Sequence, residues 1–253
     1  MKVLGIDTAT STAGVALIDD ALIDGALIDG ALADGARVLG AARHDTAARG
    51  ADLLVAIDRL CREAGVAPRE LDAVAIGAGP GSFTGLRIGM ATAKGIAFAA
   101  NRPLWAVSSL AALAEDARRE LDGQLDGRDD VICAALDARR GEIFAGCFRG
   151  GAPLGDERVL APDALAPWLS SMNLGAVHYA GDAIDAYASV LGPLAAQWCA
   201  VRTPSGRAVA QLALSGARVD ITRAGAPTYI RPSEAEVMYP DGVPGALRQT
   251  TKR

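Results

Sequence analysis

The chain has 253 residues, a formal net charge of −5 and a sequence pI near 5.1. Apolar residues make up 51% of it and aromatic residues only 4%, so its core must consist mainly of aliphatic side chains. Proteins that bind RNA directly usually present a basic face and aromatic rings on which bases stack. Composition and charge therefore argue against direct RNA binding by this chain.

Cysteine and hydropathy patterns point to a cytoplasmic protein. The cysteines are scattered, without a C-x-x-C pair, and we expect reduced core thiols at Cys61, Cys133, Cys147 and Cys199. The first ten residues become polar at once, unlike a signal peptide. No run of residues reaches the roughly 20 apolar positions of a membrane span, so we expect no membrane association.

The beginning of the chain predicts a β-hairpin, because apolar runs at 2–6 and 14–18 flank a small polar turn. Residues 16–35 then repeat a five-residue unit four times (ALIDD, ALIDG, ALIDG, ALADG), a period that suits neither a strand nor a helix. We interpret the repeat as a tandem expansion of the hairpin turn, with strand pairing resuming near Arg37, because surface turns tolerate insertion at little cost. An additional binding arm is the alternative interpretation.

Strands and helices alternate through the rest of the chain. Apolar spacing over 47–64 predicts an amphipathic helix. The other predicted elements are a strand at 73–77, a helix ending near 100, a strand at 104–107, a helix from 108 or 109 to 121, a hairpin of 131–136 with 142–148, a helix near 163–170, a strand near 176–180 and a helix near 208–217. This order predicts an α/β protein of two similar lobes. We assign the N-terminal lobe to 1–107, the C-terminal lobe to 108–222 and a tail to 223–253.

A glycine-rich loop, Gly77 to Gly85, joins a predicted strand to a predicted helix. Such a loop can cradle a phosphate, because backbone N–H groups and the helix dipole point at it. Neither a Walker A pattern nor a complete Rossmann fingerprint fits the residues, however. A tight structural turn is the alternative.

The helix after that loop carries small residues four positions apart, at Gly85, Gly89, Ala93 and Ala97. A glycine inside a helix costs about 1 kcal/mol relative to alanine, so two of them indicate close approach of another helix. That helix belongs either to this chain, namely its own first helix, or to a partner. If it belongs to a partner, Gly89→Leu weakens partner binding and need not destabilise the isolated chain.

Asp7 follows the first strand and precedes Thr8 and Thr10, an arrangement similar to the first phosphate loop of actin-like ATPases. A hairpin turn favoured by Asp and Thr explains the same residues. His44 and His178 form no paired motif, so the sequence predicts no metal site.

Several segments together resemble the TsaB (YeaZ) family in order and spacing. They are GIDTAT at 5–10, GPGSFTGLRIG at 79–89 with Lys94-Gly95, VSSL at 107–110, LDARRGE at 136–142 and Tyr229-Ile230-Arg231. The resemblance covers most of residues 1–149, then thins until 227–236. It implies an actin/Hsp70/sugar-kinase-like (ASKHA) fold of two RNase H-like lobes. Many relatives have a histidine where this chain has Arg49, and the pentad expansion is not a family feature.

The resemblance also implies a function, that of a non-catalytic scaffold in the bacterial complex that makes threonylcarbamoyladenosine beside the tRNA anticodon. The implied partners are the TsaD transferase and the TsaE ATPase, with tRNA reached only through the complex and a homodimer possible when the chain is alone. ATP and threonylcarbamoyl-adenylate are used by the complex rather than bound by this chain. Catalytic TsaD-type relatives carry an H-x-x-x-H metal motif that this sequence lacks, so we expect no enzyme activity.

The family resemblance implies two sets of site residues. The family uses its first two helices to contact TsaD, which places the partner interface on Leu53, Leu54, Ile57, Gly85, Leu86, Gly89, Met90, Ala93, Ala97 and Phe98. The second set is Asp7, Thr8 and Thr10, which we interpret as a vestigial nucleotide loop.

Two other functions compete with the scaffold role. An active actin-like ATPase or kinase would use Asp7 and needs a second phosphate loop, for which Gly181-Asp182 is the single faint candidate. A glycoprotease-like metallopeptidase is the other, and the absence of paired histidines counts against it.

Overall fold

The computed structural model describes residues 1–20, 37–45, 50–121 and 130–231. Most of the pentad repeat (21–35) and Arg49 lie outside these ranges. The described strands are β1 (Lys2–Asp7), β2 (Thr12–Asp19), β3 (Arg37–Asp45), β4 (Ala73–Gly77), β5 (Leu104–Val107), β6 (Val131–Arg139), β7 (Glu142–Arg149), β8 (Ala152–Pro153), β9 (Arg158–Leu160), β10 (Val177–Ala180) and β11 (Val219–Asp220). The α-helices are α1 (Gly50–Glu63), α2 (Phe83–Ala100), α3 (Ser109–Glu120), α4 (Leu165–Ser171), α5 (Ala183–Leu191) and α6 (Gly206–Leu214), with short 3₁₀ helices at Pro68–Glu70, Pro162–Ala164 and Gly192–Gln197.

The first sheet has the strand order β11-β5-β4-β1-β2-β3. Strand β1 is antiparallel to β2 and parallel to β4, which puts it in the centre of the sheet. Both faces of β1 are covered, and Val3, Leu4 and Ile6 are fully buried. The hairpin of β1 and β2 is confirmed, as is the return of strand pairing at Arg37, where β3 joins β2.

The second sheet repeats the centre of the first. Its order is β10-β6-β7-β8, with β9 also paired to β7. Strand β6 is antiparallel to β7 and parallel to β10, as β1 is to β2 and β4. The two lobes therefore share one central strand arrangement, as the order of the predicted elements indicated.

Helices α1 and α2 pack on one face of the first sheet and α6 packs on the other. Leu53 and Ile57 of α1 and Met90 of α2 share a core cluster with Leu4 and Ile6. On the opposite face Val3 and Ile18 pack with Val209 and Ala210 of α6. The two helices of the first face therefore lie side by side and turn their remaining surface outward.

Helices α3 and α6 cross between the lobes. Helix α3 follows the first lobe but packs against β6 and β7, whereas α6 follows the second lobe but packs against β1 and β2. Strand β11 is hydrogen-bonded to β5 in the first sheet. Residues 206–220 therefore lie on the first lobe, although the sequence placed all of 108–222 in the second, because periodicity does not show which sheet a helix covers.

The longer predicted elements are confirmed, with boundaries shifted by a few residues. Strands β8, β9 and β11 and helix α5 were not predicted, since the strands are two or three residues long and α5 contains a non-helical residue at Tyr187. Within the described ranges, no helix is long and apolar enough to cross a bilayer.

Candidate functional site

Asp7 ends β1 and its side chain is completely enclosed. One carboxylate oxygen accepts the backbone N–H of Ala9 at 2.8 Å and the other accepts the Ser109 hydroxyl at 2.7 Å. A Cβ at Gly77 would lie 1.8 Å from Asp7 Oδ2, so only glycine fits beside the carboxylate. Burial raises the pKa of Asp7 to about 7, against the lowering effect of the hydrogen bonds from Ala9 and Ser109. The described structure leaves no approach for a ligand to this carboxylate.

The neighbouring threonines are buried as well. Thr8 is 1% exposed, and its hydroxyl has no hydrogen-bond partner among the described residues. Thr10 donates its hydroxyl to the Thr12 carbonyl at 2.9 Å and accepts the Thr12 N–H, which closes the turn into β2. The three residues that the sequence assigned to a vestigial nucleotide loop thus adjoin one another, but as parts of the turn between β1 and β2.

Two backbone N–H groups of the glycine-rich loop between β4 and α2 are hydrogen-bonded within the chain. The N–H of Gly79 is donated to the Ser109 hydroxyl at 3.2 Å, and the N–H of Ser82 to the Ala9 carbonyl at 2.7 Å. A Cβ at Gly81 would meet the Ala9 carbonyl at 2.5 Å. Of the two interpretations, these contacts favour the tight structural turn, because donors already bonded to the chain are not free for a phosphate.

The small-residue stripe of α2 faces inward. A Cβ at Gly85 would lie 2.2 Å from the Thr8 carbonyl oxygen, and one at Gly89 would lie 2.1 Å from Thr8 Oγ1. The close neighbour is therefore the turn after β1, and it is neither a partner helix nor the chain's own first helix. The interpretation of this stripe as the contact for a partner helix is therefore wrong. The expectation that Gly89→Leu leaves the stability of the isolated chain unchanged is wrong for the same reason.

The space between the lobes is filled by apolar side chains. Ala9 and Leu86 of the first lobe belong to one buried cluster with Leu110, Leu136 and Phe144. Leu86 is 2% exposed and Leu136 is 1% exposed. A polar ligand in this space would have to displace packed hydrocarbon, and that costs transfer energy and leaves polar groups unpaired.

The second lobe places Asp182 in a structural role. Its carboxylate accepts the N–H of Asp137 at 2.8 Å, and Asp137 in turn accepts the Tyr187 hydroxyl at 3.0 Å. Burial raises the pKa of Asp182 to about 6. A Cβ at Gly181 would lie 1.9 Å from the Ala135 carbonyl, so Gly181 is also a close-packing residue. Among the described residues, no three His, Cys, Asp or Glu side chains gather as metal ligands would.

Few of the predicted interface residues are accessible. Eight of them are buried against the chain's own core, namely Leu53, Ile57, Gly85, Leu86, Gly89, Met90, Ala93 and Ala97. Leu54 is 51% exposed on α1 and Phe98 is 90% exposed on α2, and Val55, which the sequence did not single out, is 65% exposed beside them. The outward face of α1 and α2 thus carries Leu54, Val55 and Phe98, while Phe83, at the first residue of α2, is also exposed but packs against Tyr229.

A second set of small residues lies on the outer side of α2, at Ala91, Gly95 and Ala99. All three are exposed, and within the part of the chain that the structure describes a Cβ at Gly95 would meet nothing closer than 4 Å. The four-residue spacing that signals close helix packing is therefore present twice on this helix. The hydropathy pattern could not rank the two stripes, since alanine and glycine are compatible with either side.

Residues 221–231 form an extended segment that contacts both lobes. The sequence did not predict these contacts. Lys94 of α2 donates to the Gly225 carbonyl, and Thr228 donates its N–H to the Ala78 carbonyl. At its end, Arg231 forms an ion pair with Glu142 of β7 at 2.9 Å. The match of Tyr229-Ile230-Arg231 to the family pattern was the available signal.

Fold and site together define a two-lobed α/β protein of the actin, Hsp70 and sugar-kinase class. A family model described as "TsaD: tRNA N6-adenosine threonylcarbamoyltransferase" matches residues 47–230. The solved structure of YeaZ from Pseudomonas aeruginosa is 30% identical, with a TM-score of 0.67 over 90% of this chain and 100% of that one. The chain belongs to the TsaB/YeaZ family.

Curated relatives agree with that assignment. The tRNA threonylcarbamoyladenosine biosynthesis protein TsaB of Escherichia coli is 34% identical over 57% of this chain and 53% of its own length. The protein of the same name from Bacillus subtilis is 32% identical over 68% of this chain and 66% of its own length. The match thus spans between about half and two thirds of these relatives.

Proposed function

We propose that this chain is a non-catalytic subunit in the biosynthesis of tRNA threonylcarbamoyladenosine, where it pairs with a TsaD-like transferase. The observation that carries the proposal is the enclosure of Asp7. In an actin-like ATPase an aspartate at the end of the first strand faces metal and phosphate, whereas here it has 0% exposure and both oxygens are engaged within the chain. The apolar cluster between the lobes supports the same conclusion and argues against the ATPase alternative.

The outward face of α1 and α2 is the proposed partner surface. Leu54, Val55 and Phe98 are the exposed apolar anchors, and Gly95 allows a helix to approach α2 closely. Aromatic side chains are frequent anchors of protein interfaces. Because a TsaD family model matches residues 47–230, a TsaD-like partner has a related fold. Two related folds can pair through equivalent faces, as the subunits of a two-fold dimer do. A TsaE-like ATPase joining the pair, and tRNA reaching it only through the complex, belong to the same proposal.

The purified chain is expected to modify no tRNA by itself. The test supplies unmodified tRNA and threonylcarbamoyl-adenylate, and measures threonylcarbamoyladenosine by mass spectrometry of the digested tRNA. Modification is expected only after a TsaD-like protein from the same cell is added. Turnover by this chain without the partner would overturn the non-catalytic assignment.

Phe98→Asp is expected to weaken binding of the TsaD-like protein by about 30-fold, because loss of a central aromatic anchor costs about 2 kcal/mol or more. Phe98 is 90% exposed, so the melting temperature of the isolated chain should stay unchanged. Titration calorimetry measures the affinity and scanning calorimetry the stability.

A matched control for that substitution is Val190→Asp. Val190 is also a large exposed apolar residue, 51% exposed, but it lies on α5 of the second lobe. This variant should bind the partner as the parent chain does. Equal affinities for parent, Phe98→Asp and Val190→Asp would exclude the outward face of α1 and α2 as the interface, whatever the result of the modification assay.

A further inference from the structure

Helices α3 and α6 carry a group of charged and amide side chains where they pack together, and the proposed function makes no use of it. The α3 members are Glu115, Asp116, Arg118 and Arg119, and the α6 members are Arg207 and Gln211. Arg43 of β3 and Ser205, the N-cap of α6, adjoin them, since both act on Asp116. We call this group the crossing cluster.

Both carboxylates of the crossing cluster are already engaged. Glu115 accepts Nε and Nη2 of Arg118 at 3.0 and 2.9 Å, and Nε of Arg119 at 3.2 Å. Asp116 accepts the Ser205 N–H at 2.7 Å and the Ser205 hydroxyl at 2.8 Å. Glu115 therefore pairs with Arg118 and with the Nε of Arg119, and Asp116 holds Ser205, the N-cap of α6.

Several donors of the same cluster have no acceptor among the described residues. They are Arg119 Nη1, Arg207 Nε and Gln211 Nε2, which are shielded from solvent, and the acceptor Gln211 Oε1 likewise has no partner there. Gln211 is 7% exposed, and it lies one helical turn from Arg207 on the same side of α6. An unsatisfied buried polar group is costly, and more so when it is charged, so several unpartnered donors on two packed helices indicate a site for an acceptor.

The charges of the cluster favour an anion. After burial, the charge of Arg119 is the largest cause that lowers the pKa of Arg207, which places the two guanidinium groups within Coulombic range of each other. Asp116 and Glu115 oppose that effect but do not remove it. Guanidinium groups donate well to oxyanions, and Arg119 Nη1 and Arg207 Nε are the nitrogens whose N–H groups one oxyanion could accept.

We propose that the crossing cluster binds a small oxyanion of the phosphate class between α3 and α6, with Arg119 and Arg207 as its charged ligands and the Gln211 amide as a further donor. The site lies where the helices of the two lobes cross, so an anion there would bridge the lobes. The proposal does not depend on the partner surface of α1 and α2.

The test is a calorimetric titration of inorganic phosphate into the full chain, in a buffer free of phosphate and sulfate. We expect one saturable site, with affinity at least tenfold weaker in Arg119→Gln and in Arg207→Gln. Arg149→Gln is the matched control, because the Nε of Arg149 also has no partner in the described ranges but Arg149 belongs to β7 of the second lobe. It should bind phosphate as the parent chain does. Absence of a saturable site, or equal affinity in all four proteins, overturns the proposal.

Gln211→Glu separates anion binding from a general loss of folding. If the N–H groups of Arg119 and Arg207 lack an acceptor, a carboxylate at position 211 supplies one. The variant should then melt at least about 2 °C higher than the parent chain without phosphate, and phosphate should no longer bind. A lower melting temperature, the ordinary result of burying an unpaired carboxylate, contradicts the proposal.

A second ligand distinguishes the source of the phosphate group. Adenosine monophosphate is titrated beside inorganic phosphate into the parent chain and Arg207→Gln. Tighter binding of the nucleotide, lost in Arg207→Gln, assigns the site to a nucleotide phosphate, and equal or weaker binding assigns it to the free ion. Nucleotide binding that is insensitive to Arg207→Gln lies elsewhere on the chain and counts against the crossing cluster.

Discussion

Gly89→Leu is expected to destabilise the isolated chain by about 3 kcal/mol, because added methylenes in a packed core force strain of that order. A Cβ at this position would lie 2.1 Å from Thr8 Oγ1 and 3.1 Å from Thr8 Cβ, so α2 must move away from the turn after β1. The gain in helix propensity, about 1 kcal/mol, offsets only part of that cost. For a chain of this size the melting temperature should fall by about 6–12 °C, as scanning calorimetry would show.

Gly95→Ala on the same helix is the matched control and has the opposite expected sign. Gly95 is exposed and a Cβ there meets none of the described residues within 4 Å, so alanine should stabilise the chain by about 1 kcal/mol. Gly89→Ala makes the identical chemical change against Thr8 and should destabilise. Equal effects of alanine at 89 and 95 would show that α2 does not pack against the β1–β2 turn as described.

Much of the fold could be predicted because it depends on local patterns. The apolar runs of β1 and β2 and the amphipathic spacing of α1 are properties of neighbouring residues, and the structure confirms them. The exchange of α3 and α6 between the lobes was out of reach, since each helix presents an apolar face that suits either sheet. Short strands such as β11 depend on a pairing partner more than on their own residues.

The candidate site was harder to predict, for a physical reason that α2 illustrates. Small residues at Gly85 and Gly89 indicate that something approaches closely, and the structure identifies it as Thr8 of the same chain. The small residues show that some other part of the structure lies close to α2, but they do not show which part it is. Likewise Asp7 has the residue type of a phosphate loop, and only its enclosure by Gly77 and Ser109 shows a structural role. Exposure, which distinguishes Phe98 from Met90, is a property of the assembled lobes.

Asp7 should make the stability of the folded chain depend on pH. Burial raises its pKa from 3.8 to about 7, so the folded state holds this proton more tightly than the unfolded state does. The stabilising contribution is complete below pH 3.8 and is lost as the pH rises toward about 7. A shift of this size corresponds to about 4 kcal/mol. Asp116 and Asp182, whose pKa values burial raises to about 6, act in the same direction.

Asp7→Asn isolates the contribution of this one carboxyl group. The amide oxygen can accept the Ala9 N–H, but the amide nitrogen cannot accept the Ser109 hydroxyl, at a cost of about 1 kcal/mol. At pH 4 the variant should therefore be slightly less stable than the parent chain. At pH 8 it should be more stable by about 3 kcal/mol, because it avoids burying a carboxylate.

The measurement for Asp7→Asn is urea unfolding of parent and variant at several values of pH between 4 and 8, with the difference in free energy of unfolding plotted against pH. Subtraction removes the contributions of Asp116 and Asp182, which the two proteins share. Asp163→Asn is the control, because Asp163 is exposed and its substitution should leave the curve unchanged in shape. A difference that stays constant from pH 4 to pH 8 would mean that the pKa of Asp7 is the same in the folded and unfolded chain, and hence that its carboxyl group is solvated in the folded chain. A solvated Asp7 would be accessible to a metal ion or a phosphate, and the first lobe would then be open to the chemistry of an actin-like ATPase.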